Sequence, residues 1–175
     1  MIINRVWAMP NKWTFQIKPI KELLNRYVLD QNWIDPFAGY NSPAGITNDI
    51  NPNAPTTHHM KAIDFVQILY NKEYSGCLFD PPYSLRQLKE CYQQHGTDIS
   101  YEDTIRFYSS LKDKLNQKII SGGYCISFGW NSNGFGKNRG FEIVEILLVA
   151  HGRDHNDTIV TVEKKTQSNL LTNYD

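Results

Sequence analysis

No run of about 18 consecutive apolar residues occurs in this sequence, so no helical membrane span is available. The opening residues, Met1 to Pro10, have no long apolar segment ending in small residues, and no secretion signal is expected. Cysteine is scarce. The three present, Cys77, Cys91 and Cys125, are odd in number and lack paired spacing. That argues against a disulfide framework and for a reducing, cytoplasmic setting. Cys77 and Cys125 sit inside apolar runs and read as small buried hydrophobes. Net charge is missing too, since 18 Lys and Arg balance 18 Asp and Glu. The chain as a whole exerts no pull on a polyanion, so any nucleic-acid contact falls to local basic patches. Candidates are Arg86 with Lys89, then Lys112, Lys114 and Lys118, then Lys137 with Arg139. Repeats and low-complexity stretches are absent. His58-His59 and His151 with His155 have no Cys or carboxylate to complete a ligand set, so no metal is expected.

What is present is an ordinary globular composition, 41% hydrophobic over 175 residues. It predicts one domain over 1–166 and a polar tail over 167–175. Lys18-Pro19 opens an amphipathic helix in which Ile20, Leu23, Leu24, Tyr27 and Val28 share a face. Trp33-Ile34 is a short strand running into Asp35-Pro36-Phe37-Ala38-Gly39. Gly45 to Asn48 predicts a second strand, ending at Asp49, and Thr57 to Met60 a third. Ala62 to Leu69 reads as a helix. Cys77-Leu78-Phe79 is a strand that feeds Asp80-Pro81-Pro82-Tyr83. Ser100 to Asp103 resembles a capping box with Asp in place of Glu, starting a long helix through Ile119. Gly122-Gly123 is expected to turn the chain into a strand at Tyr124 to Phe128. Phe141 to Val149 and Thr158 to Val162 predict an antiparallel pair. Strands alternating with helices, then a hairpin, give an α/β fold with a mainly parallel, doubly wound sheet.

Asp80-Pro81-Pro82-Tyr83 is the sharpest signal. Two prolines fix two φ angles and remove two donors, leaving stiff backbone with unpartnered carbonyls. A rigid carboxylate and a free carbonyl at a strand's C-terminal edge make a pocket of acceptors, placed where open α/β sheets bind ligands. An exocyclic amine has two N–H donors to offer it. Tyr83 adds a flat ring, and base stacking on such a ring is worth about 1–3 kcal/mol.

These residues resemble the S-adenosylmethionine-dependent amino-methyltransferases, specifically the DNA adenine type. The resemblance implies a Rossmann-like methyltransferase fold and S-adenosylmethionine as cofactor. It implies that Asp80 and a proline carbonyl hold the target amine while Tyr83 stacks on the flipped base. Relatives directed at cytosine more often carry Ser-Pro-Pro-Tyr and those directed at glutamine Asn-Pro-Pro-Tyr, so Asp80 favours adenine. Asp35-Pro36-Phe37-Ala38-Gly39 looks like the family's cofactor loop, and Asp49-Ile50 like its acidic second-strand signature, with Asp49 on the ribose. Asp64 and Phe65 are candidates for the cofactor's adenine, and Lys18 for its carboxylate. Trp13 to Pro19 resembles the segment that closes over the methionine end. Phe128 and Trp130 are expected to wall the base pocket, with Arg86 on the nucleic acid.

Two departures stand out. The spacing from Gly39 to Asp49 leaves no room for the usual helix between them, and the family's target-recognition domain has no counterpart in the chain. The expected partner is DNA, with short or relaxed specificity or with specificity from a homodimer or separate subunit, and with phosphate contacts dominating affinity. RNA adenine methylation and a catalytically silent nucleic-acid-binding subunit are the alternatives.

Overall fold

The structure, a computed structural model, describes residues 1–96, 100–152 and 155–166, without the side chains of 101–105. The strands are β1 (Ile2–Trp7), β2 (Trp33–Asp35), β3 (Ile46–Thr47), β4 (Tyr74–Phe79), β5 (Ile119–Gly129), β6 (Phe141–Ala150) and β7 (Thr158–Lys165). The helices are α1 (Lys18–Tyr27), α2 (Ala62–Ile68), α3 (Leu85–Gln94) and α4 (Tyr101–Lys118). One seven-stranded sheet runs in the order β1-β6-β7-β5-β4-β2-β3. All neighbours are parallel except β7, which is antiparallel to both β5 and β6. The fold class and the terminal hairpin read from the sequence are both present.

The sheet is covered on both faces, which explains why β4 is apolar without alternation. On one face α1 brings Ile20, Leu23 and Leu24 against Leu78, Ile126 and Val160. On the other, α2, α3 and α4 bring Phe65, Leu88, Leu111 and Leu115 against Cys77 and Cys125. Each such buried side chain contributes roughly 1.5–3 kcal/mol relative to exposure. Cys77 and Cys125 face each other across β4 and β5 as free, buried thiols. The apolar rows at helical spacing thus produce the layers.

Three local expectations need correction. Gly122-Gly123 does not precede β5 but lies inside it, at an irregularity where Tyr74 pairs Ile119 and Gly76 pairs Tyr124. Gly122 takes φ +83, which lets the bulge form in the strand instead of ending it. Ile119 accordingly starts β5 and does not end the helix. The third strand at Thr57 to Met60 is reduced to one bridge, Asn48 to His58. Two elements went unread: β1, whose apolar residues Ile2, Ile3, Val6 and Trp7 do not alternate with polar ones, and α3, capped by the Ser84 side chain accepting from Gln87 N at 3.2 Å. The side chains of the capping-box segment and the 167–175 tail lie outside the described residues.

Parallel neighbours are usually joined through about a dozen or more residues, commonly a helix. Between β2 and β3 the chain makes only a loop. Hydrogen bonds hold it in place of a helix. Buried Asp35 accepts from Phe37 N at 3.0 Å and from the Ser42 hydroxyl at 2.6 Å. Asn48, 1% exposed, donates to Pro36 O and Met60 O and accepts from Met60 N. One amide thereby ties together three segments at the C-terminal edge of the sheet.

Candidate active site

The loops that follow β2, β3, β4 and β5 converge on this edge, and the Asp80 loop stands at its centre. A cavity of about 370 Å³ lies on one side. Its walls include Pro36, Phe37, Asn48, Asp49, Ile50 and, from α3, Tyr92. A smaller one of about 90 Å³ is bounded by Lys12, Trp13, Ala38, Gly39, Tyr40 and Asp80. On the far side a third, of about 250 Å³, is bounded by Phe79, Tyr108, Lys112, Ser127, Phe128 and Trp130. Thr14 and Asp80 reach the first two cavities, while Pro81, Pro82 and Tyr83 wall the first and third. The loop therefore partitions two spaces and presents groups to both.

Local chemistry fixes it there. Tyr83 donates its phenol hydrogen to Asp80 at 2.8 Å, and its backbone N–H donates to Gln87 of α3 at 2.9 Å. Tyr108 of α4 donates to the Pro82 carbonyl. Burial raises the Asp80 carboxyl to about 6, although hydrogen bonds from Tyr83 and Thr14 pull it back down. Burial, then the Asp80 charge, push the Tyr83 phenol up, so it stays a donor. Asp35 is lifted further, to about 7, by burial first and more weakly by the charges of Asp80 and Asp49.

On the β2 side, Gly39 adopts φ +53, and a Cβ there would meet nothing within 4 Å. Its backbone borders open space, the cradle that close approach of a ligand needs. Gly39 N donates to Asp49 at 3.0 Å and Asn51 N to the other oxygen at 2.8 Å. The two loops are thus clamped around the same carboxylate.

Of the residues singled out in the sequence, the structure brings together Pro36, Phe37, Ala38, Gly39, Asp49, Ile50, Asp80, Pro81, Pro82, Tyr83, Phe128 and Trp130. Asp35 is wholly buried beneath them as a support. Others sit apart. Phe65 is a core residue with 0% exposure, and Asp64 is exposed on α2 outside these cavities. Lys18 is exposed at the start of α1, and Lys12 borders the small cavity instead. Arg86 is exposed on α3 and paired with Glu90 at 2.7 Å. Lys112, read as one of a surface patch, is instead half-buried beside the third cavity, donating to Gly134 O. Cys91, noted only as one of three unpaired cysteines, lines the first cavity with Tyr92, a placement that the unread helix α3 decides. Asn48, expected only as the last residue of the second strand, is the tie that closes these loops.

No family model matches the sequence, and no curated protein matches it. Solved structures do match in shape. TrmN from Thermus thermophilus aligns at TM-score 0.56 and 13% identity over 85% of this chain, which spans about half, 49%, of that one. A 1,6-didemethyltoxoflavin-N1-methyltransferase from Burkholderia thailandensis aligns at TM-score 0.50 and 11% identity, over 77% of this chain and 71% of its own. That structure holds 1,6-didemethyltoxoflavin and S-adenosylhomocysteine. The fold is the Rossmann-like methyltransferase fold. In this version of the methyltransferase fold, the third strand position is a single bridge, the helix after β2 is absent, and β1 extends the far edge of the sheet.

Proposed function

We propose that this chain transfers a methyl group from S-adenosylmethionine to the exocyclic amine of adenine in nucleic acid, DNA first. The observation that carries the reading is the position of Asp80-Pro81-Pro82-Tyr83 between two cavities, with Pro81, Pro82 and Tyr83 walling both and the half-buried Asp80 carboxylate lining the first. The cofactor fits the β2 side. The open space at Gly39 admits its methionine part, Lys12 suits its carboxylate, and Asp49 stands where ribose hydroxyls would donate. The S-adenosylhomocysteine in the Burkholderia enzyme supports this choice. S-adenosylmethionine supplies an already activated methyl group, which leaves alignment as the protein's main task.

Alignment falls to the loop. Asp80 and the Pro81 carbonyl accept the two amine hydrogens and turn the nitrogen toward the cofactor side. The Tyr83 phenol, which occupies Asp80 in the structure, gives way, and its ring becomes free to stack on the base. Ordering of this kind can supply up to about 7–11 kcal/mol of a barrier. Asp80, lifted to about 6, is then a suitable base for the proton that the methylated amine sheds. Phe128 and Trp130 wall the base.

The test is transfer of labelled methyl groups to duplex DNA, single-stranded DNA, RNA and free adenine derivatives. Adenine-containing nucleic acid is the expected acceptor. The Asp80→Ala variant is expected to lose at least about a hundredfold in rate, the usual effect of removing a preorganised polar contact. Its cofactor affinity by calorimetry should stay near wild type. Normal turnover by this variant would overturn the assignment of the loop. Cofactor binding with no acceptor methylated would favour a silent subunit.

A further inference from the structure

Resting on that reading, the surroundings of the site carry a more specific conclusion about the form of the nucleic acid. Among the described residues, large aromatic side chains stand half in solvent on both sides of the Asp80 loop. Trp130, just beyond β5, is 46% exposed, borders the base-side cavity and meets Tyr83 edge-on at 5.6 Å between centroids. Tyr40, beyond β2, is 44% exposed and packs on Trp13 at 5.1 Å, with the Lys12 ammonium 4.7 Å from the Trp13 ring. The sheet order β5-β4-β2 puts the loop between these two groups. The strands that lead to Trp130 and to Tyr40 lie two spacings apart, roughly 10 Å. Beside the site, such rings offer flat faces on which bases can stack.

We propose that this chain binds single-stranded nucleic acid, with the target adenine at Asp80 and the bases on either side of it stacked on Trp130 and on the Trp13–Tyr40 pair. A duplex cannot use these rings, because its base faces are already stacked on one another. It would instead be held by cations on its phosphates. Two of the nearby arginines have carboxylate partners. Arg86 pairs with Glu90, and Arg139 pairs with Asp113 and donates to Phe135 O. Lys112 is turned inward onto Gly134 O. Stacking thus replaces the phosphate-dominated binding expected from the sequence, and every base has a face to stack, so preference for flanking sequence is weak. An unpaired strand also removes the cost of pulling the adenine out of a helix.

The test uses the whole chain and matched oligonucleotides of about a dozen nucleotides: single-stranded DNA, the same sequence in RNA, and the DNA duplex. Binding is read by quenching of tryptophan fluorescence and by anisotropy of a labelled strand. One of the single strands is expected to bind at least about tenfold tighter than the duplex. Trp130→Ala is expected to weaken that strand by roughly five- to a hundredfold, the range found for removing one stacked base. Trp130→Phe should restore most of it. Tyr40→Ala should weaken it similarly, with a urea unfolding midpoint near wild type showing that the variant folds. Equal or tighter binding of the duplex, or unchanged strand affinity in a Trp130→Ala Tyr40→Ala double variant, would overturn the inference. Tight strand binding without methyl transfer would uphold this surface and sink the adenine-methylation reading. Methylation of duplex at the single-strand rate would do the reverse.

Discussion

Two buried carboxyl groups govern how this site should respond to pH, and they act on different observables. In the proposed reaction Asp80 must be ionised to accept the amine. With its carboxyl raised to about 6 by burial, methyl transfer is expected to fall as pH drops through that value. A pH–rate profile checks this, and a rate still flat at pH 5 would contradict it. Asp35 acts on stability. Its carboxyl is lifted by burial from the ordinary 3.8 to about 7, so the folded protein holds a proton that the unfolded chain releases. The stability this contributes is fully present below about pH 4 and is lost as pH rises through about 7. The loss is on the order of 4 kcal/mol at most, from three pKa units at about 1.4 kcal/mol each. Asp35→Asn keeps an acceptor for Phe37 N and carries no charge. Urea titrations of this variant between pH 5 and 8 should therefore show a flatter stability profile than wild type. Equal slopes would mean that Asp35 is not the group responsible.

At the scale of the element, β4 is the strand that delivers the Asp80 loop, and its neighbours leave it little slack. An added Cβ at Gly76 would lie 2.6 Å from carbons of the Trp33 ring on β2. Trp33 is 1% exposed and has nowhere to retreat. Gly76→Ala is therefore expected to cost about 1–3 kcal/mol, the usual penalty for overpacking a filled core. Chemical denaturation measures it directly, and an unchanged midpoint would show that β2 and β4 can separate freely. The same strand shows what was legible in advance. Cys77-Leu78-Phe79 read as buried strand because no polar residue interrupts it, and Asp80-Pro81-Pro82-Tyr83 read as site because of its order. Helix α3 did not read, since only Leu88 and Tyr92 of its residues are buried and its start is set by a Ser84 cap. Asp49 and Gly39 were each visible as loop residues, but their hydrogen bond was not.

Over the whole molecule, the candidate site lies at one edge of the sheet. The cavities gather at the C-terminal ends of β2 to β5, while β1 is the opposite edge strand, paired to β6 alone. Ile2, Ile3 and Trp7 are more than half exposed, so β1 contributes backbone hydrogen bonds and little apolar burial. Removing residues 1–7 is expected to lower the melting temperature by several degrees, the shift that roughly 1 kcal/mol produces in a domain of this size. Cofactor affinity should be unchanged. A large loss of affinity in the truncated chain would mean that the site extends further along the sheet than its loops indicate.

The sequence by itself determined the α/β layering, because apolar spacing is a local property that each helix and buried strand must satisfy alone. It also determined the identity of the central loop, because two prolines between a carboxylate and a tyrosine leave few conformations. Only the tertiary structure decided which of the remaining candidates meet. Lys12 and Lys18, or Phe65 and Tyr92, are alike to a reader of the chain. What separates them is a register, a bulge at Gly122 and a helixless connection closed by Asn48, all set by contacts between residues distant in sequence.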